Sequence, residues 1–71
     1  MTVKATHLKL ECDPSATVNL YWTDARSMHK VTCEYRTASY MWNVVLRHRQ
    51  NITELQLHTE QNRLMARWAR N

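Results

Sequence analysis

The chain has 71 residues, 44% of them apolar, with a formal charge of +4 and not one glycine. That length makes a single small domain, and the apolar share argues for a folded chain and against disorder. It leaves little depth for a water-excluding cleft, so an enzyme is not expected.

The charge is unevenly placed. Residues 1–35 balance Lys4, Lys9, Arg26 and Lys30 against Glu11, Asp13, Asp24 and Glu34, whereas residues 36–71 hold six arginines against Glu54 and Glu60. The opening "MTVKATHLKL" has no charged stretch followed by an apolar one, and no run approaches the length of a membrane span. A cytoplasmic protein without membrane contact is the expectation.

From the N-terminus, "TVKATHLKLECD" alternates with Leu8, Leu10 and Cys12 on one face, as a strand does. "DPSA" is a turn signal. "TVNLYWTD" then sets Val18, Leu20 and Trp22 against Asn19, Tyr21 and Thr23, predicting a second strand. After a loop at "DARS", "HKVTCEYRT" places Val31, Cys33 and Tyr35 on one face, predicting a third. Without glycine, positive backbone φ in the turns must fall to Asn, Asp or Ser.

Residues 39–50, "SYMWNVVLRHRQ", carry two periods. Tyr40, Trp42, Val44 and Leu46 fit a strand, while Met41, Val44, Val45 and His48 fit a helix; aromatic and β-branched content favours the strand. From residue 51 the composition turns towards helix formers, with Asn51 and Glu54 spaced like a capping box. Residues 52–58 also read as a fifth strand, with a helix from residue 59 onward. The expected fold is therefore α+β: an antiparallel meander of three to five strands, then a C-terminal amphipathic helix packed on one face of the sheet. Its core would draw on Leu8, Leu10, Val18, Leu20, Trp22, Val31, Cys33, Val44, Leu57, Leu64, Met65 and Trp68.

Chemistry-bearing motifs are scarce. Phosphate-binding loops and nucleophile elbows need glycines that this chain lacks. Cys12 and Cys33 are too few and too far apart for a zinc site with four closely spaced ligands, so they read as buried free thiols, with no cofactor or metal expected. The arginines stand out instead. On a C-terminal helix Arg63, Arg67 and Arg70 share one side, and Arg36, Arg47 and Arg49 extend the patch if that strand lies alongside. Guanidinium groups match phosphate oxygens, so a non-catalytic nucleic-acid-binding module is the leading expectation. The alternative is a protein-interaction module, an inhibitor or small regulatory subunit acting on an acidic partner protein. A partner subunit would stabilise so short a chain, which leaves a homodimer open.

Overall fold

The structure, a computed structural model, describes residues 12–48 and 51–70. The elements run β1 (Thr17–Thr23), β2 (Met28–Glu34), α1 (Tyr35–His48), β3 (Glu54–Thr59) and β4 (Leu64–Ala69). Two antiparallel hairpins are thus joined by a helix. They merge into one four-stranded sheet of order β2-β1-β3-β4, in which β1 and β3 are the central pair.

The first hairpin follows the alternation in its sequence. Thr17 to Thr23 pair with Glu34 to Met28 in unbroken register. The turn between them is fixed by Asp24, whose Oδ1 accepts the N–H groups of Arg26 and Ser27, each at 2.9 Å. Val18, Leu20 and Trp22 point to the covered face and are buried.

Helix α1 begins at the residue after β2 and overturns the strand expected over residues 39–50. Tyr35, Ala38, Trp42 and Val45 are its buried residues. They recur at helical spacing and bring Trp42, fully buried, onto the sheet. No acidic residue stands in the first turn. The first two donors there are met by the chain before β1: Tyr35 N–H donates to the Ala16 carbonyl (2.8 Å) and Arg36 N–H to that of Pro14 (3.0 Å). At the other end, Arg47 and His48 in the last turn complement the helix dipole.

The expected C-terminal helix is absent from the described residues. Residues 60–63 are the turn of a second hairpin, and Leu64–Ala69 form β4. Asn62 takes φ 66°, the position a glycine would normally fill. Thr59 and Asn62 close the turn, Thr59 N–H donating to the Arg63 carbonyl and Asn62 N–H to that of Thr59. A bulge between Leu57 and His58 shifts the register, after which Ala66 faces Leu57 and Trp68 faces Leu55. With α1 already covering the sheet, residues 64–69 satisfy their backbone by pairing with β3 and bury Trp68 and Ala66 by alternation.

The core comprises Val18, Leu20, Trp22, Tyr35, Ala38, Trp42, Val45, Ile52, Leu55 and Leu57, with Val31, Cys33, Met65 and Trp68 packed at its rim. Leu64, expected in the core, is 56% exposed, because the bulge turns it to the opposite face beside His58. Val44, also expected there, is half-buried on the helix flank. Leu8, Leu10 and the first predicted strand lie outside the described residues.

Candidate nucleic-acid interface

One face of the sheet carries α1 and the other carries nothing among the described residues. Register fixes what the uncovered face displays. Its middle row crosses all four strands as Lys30–Tyr21–Gln56–Arg67. The row on one side is Thr32–Asn19–His58–Leu64, and on the other Met28–Thr23–Glu54–Ala69. Two rings, Tyr21 and His58, therefore stand on the two central strands, with a cation at each end of the middle row. Lys30 and Arg67 are three strand spacings apart, about 14 Å.

Neighbouring side chains hold this face in place. The rings of Tyr21 and His58 meet edge to face at 4.9 Å between centroids, and the Lys30 ammonium lies 5.8 Å from the Tyr21 centroid. His58 Nε2 is 2.8 Å from Gln56 Oε1, and Gln56 Nε2 donates to Glu54 Oε2 at 2.9 Å. Arg67 Nε donates to the same carboxylate oxygen. Those two hydrogen bonds, Gln56 first and then Arg67, hold the Glu54 carboxyl below its ordinary pKa. In the adjoining row, Thr32 Oγ1 donates to Asn19 Oδ1 at 2.7 Å, which helps seat a buried Asn on a polar face. A shallow hollow of about 210 Å³ lies between Tyr21, Thr23, Met28, Glu54, Gln56 and His58. That is smaller than the pockets that enclose drug-sized ligands, so the face is a platform and not a cleft.

The arginines singled out from the sequence do not gather there. Arg36 lies in the first turn of α1, with Nε 3.6 Å from Glu34 Oε1, and Arg47 lies in the last turn; both are exposed. Arg63 sits in the β3–β4 turn, and among the described members of the set Arg67 alone is on the uncovered face. Arg70 follows β4, its Nε donating to the Ile52 carbonyl at 3.0 Å and its guanidinium 5.9 Å from the Trp68 ring. Arg49 falls outside the described residues. The helical row of Arg63, Arg67 and Arg70 dissolves because those positions belong to a turn, a strand and a strand end.

Tyr21, Lys30, Gln56 and His58 carry the arrangement and were not picked out from sequence. A signal for them existed: each holds the parity opposite to the buried residues of its strand. Elsewhere, Ser27 Oγ and Asp24 Oδ2 lie 3.1 and 3.0 Å from His29, but both meet the same ring nitrogen, Nε2. A hydrolytic triad needs its base bonded through opposite nitrogens, so this cluster braces the turn instead. Cys12 and Cys33 are free, and burial raises both thiols above their ordinary pKa. Among the described residues no three His, Cys, Asp or Glu side chains are grouped to hold a metal, and no helix is long and apolar enough to cross a membrane.

Compared with protein-family models, curated proteins and solved structures, the chain matches none.

Proposed function

We propose that the chain is a non-catalytic module that binds single-stranded nucleic acid on the uncovered face of its sheet. The observation that carries this is the row Lys30–Tyr21–Gln56–Arg67 with His58 beside it. Rings on the central strands of an uncovered antiparallel sheet offer surfaces on which unpaired bases stack. The flanking cations meet phosphates, and Gln56 and His58 offer donors and acceptors to base edges. Glu54 offsets part of the Arg67 charge, so stacking supplies more of the affinity than charge does. A duplex keeps its bases stacked on each other and finds no use for this platform.

The test is fluorescence anisotropy with labelled single-stranded DNA and RNA oligonucleotides, and with a duplex of the same sequence. Single strands should bind more tightly than the duplex. Tyr21→Ala should weaken that binding by about 1–3 kcal/mol, while Tyr21→Phe keeps most of it. Equal affinity for duplex, or indifference to Tyr21→Ala, overturns the reading.

A second reading, an acidic protein partner, draws support from the outer surface of α1. Arg36, Tyr40 and Arg47 fall within one narrow stripe there, and Tyr40 is 70% exposed. Replacing Tyr40 and both arginines would abolish capture of that partner and leave oligonucleotide binding largely intact.

A further inference from the structure

We infer that two copies of the chain pair antiparallel along their β2 strands about Thr32, joining their sheets into one of eight strands. It rests on β2 alone, although Lys30 also belongs to the row on which the nucleic-acid reading depends. Among the described residues, the outer side of β2 is an unpaired sheet edge. Such an edge is a template for another strand unless something blunts it.

Which groups face outward follows from the first hairpin. Tyr35 N–H donates to the Ala16 carbonyl, and Asp24 N–H to that of Ser27. Hydrogen-bonded and non-hydrogen-bonded pairs alternate along an antiparallel ladder. His29, Val31 and Cys33 therefore turn their backbone groups towards β1, and Met28, Lys30, Thr32 and Glu34 turn theirs to the free edge. Two copies related by a twofold axis at Thr32 set Thr32 opposite Thr32 and Lys30 opposite Glu34, each an outward-facing, hydrogen-bonding pair.

The side chains agree with that register. On the uncovered face, Lys30 of each copy meets Glu34 of the other, an opposite-charge cross-strand pair formed twice. On the covered face, Val31 meets Cys33, and both are half-buried residues at the rim of the core that a second copy would seal. Centring the axis at Val31 instead would place Lys30 opposite Thr32 and Met28 opposite Glu34, forfeiting both charge pairs. The other edge, β4, has Arg67 as its only charged residue and borders a bulge, so self-pairing there matches no charges. Glu34 already has Arg36 at 3.6 Å within its own chain, but both are exposed and neither is fixed by burial. Pairing would also carry the row of Thr32, Asn19 and His58 across the axis, so two Tyr21 platforms would lie on one continuous face.

Sedimentation velocity over a wide concentration range tests the pairing. The chain should show a reversible monomer–dimer equilibrium. Lys30→Glu and Glu34→Lys each turn both attractive pairs repulsive, and each should weaken self-association by about tenfold or more. Lys30→Gln, which removes attraction without adding repulsion, should fall between. The double variant Lys30→Glu/Glu34→Lys restores complementarity and should dimerise like the parent. A mixture of the two single variants should form a heterodimer tighter than either homodimer. Lys30 and Glu34 are both exposed, so the fold should tolerate these changes. A parent chain that stays monomeric, single reversals that associate normally, or a mixture without heterodimer each overturns the inference.

Discussion

Two leucines seven residues apart test whether the C-terminal segment is a hairpin or a helix. Leu57 on β3 is fully buried, opposite Leu20 on one side and Ala66 on the other. Leu64 on β4 is 56% exposed on the uncovered face. Truncating a fully buried leucine to alanine costs about 3–5 kcal/mol, as lost transfer energy plus the cavity left behind. A 71-residue domain has about 4–10 kcal/mol in all, so Leu57→Ala removes a large share of it. At about 4–8 °C per kcal/mol, its melting temperature should fall by about 12–40 °C. Leu64→Ala forfeits only a partial contact and should cost under about 1 kcal/mol. Thermal unfolding followed by far-UV circular dichroism reads both. On an amphipathic helix both residues would lie in one buried arc and cost alike. Equal destabilisation by the two substitutions would refute the hairpin.

Other consequences follow from single sites. Asn62 holds a positive φ that a Cβ without a local polar group resists, so Asn62→Ala should destabilise by about 1–2 kcal/mol while Asn62→Gly is tolerated; thermal melts give the order. The Glu54 carboxyl is lowered by Gln56 and Arg67, and the Asp24 carboxyl by the Arg26 N–H, His29 and the Ser27 N–H. A carboxylate held lower in the folded state stabilises above its unfolded pKa, and that contribution drains away as pH falls through the folded value. Denaturant titrations should therefore show stability declining below about pH 4, and Glu54→Gln should flatten part of that decline. Ala38→Leu would force a larger side chain between α1 and the sheet at a fully buried position, and should cost about 1–3 kcal/mol by the same titration.

The first hairpin was legible because one period acts there: Val18, Leu20 and Trp22 alternate with Asn19, Tyr21 and Thr23, and the core takes one set. Residues 39–50 were not, because they satisfy both periods. Tyr40, Trp42, Val44 and Leu46 read as a strand, and Met41, Val44, Val45 and His48 as a helix, whereas the residues that α1 buries are Tyr35, Ala38, Trp42 and Val45. What decides between them is tertiary: two hairpins share one apolar face that needs a cover, and carbonyls of the 13–16 turn stand ready for the first N–H groups of α1. The C-terminal segment failed in the opposite direction. Its good helix formers gave a helix, but propensity is worth only tenths of a kcal/mol per residue, less than a strand's worth of pairing and the burial of Trp68. The turn that would have revealed the hairpin carries Asn62 in place of glycine, and so lacked its usual mark. The candidate site was hidden for a related reason. Arginine content is visible in a sequence, whereas the row Lys30–Tyr21–Gln56–Arg67 exists only once three strand registers are known.

Dispersal of the arginines changes what basicity can do, and salt measures the difference. Arg36 and Arg47 ride on α1, behind the sheet from Arg67, and one ligand strand on the uncovered face cannot reach all three. Such charges raise the potential around the molecule and speed encounter without forming contacts. Single-stranded nucleic acid releases counterions in proportion to the phosphates contacted, with a log–log slope of about −0.7 per phosphate. Contact through Lys30 and Arg67 predicts a slope of about −1.4, against about −4 for a patch of six arginines. Lys30→Gln, measured below the concentrations at which chains pair, should roughly halve the smaller slope. Arg36→Gln with Arg47→Gln should slow association and leave the slope nearly unchanged. A measured slope near −4 would mean that the ligand does not lie on the uncovered face, and the platform would lose its standing as the binding surface.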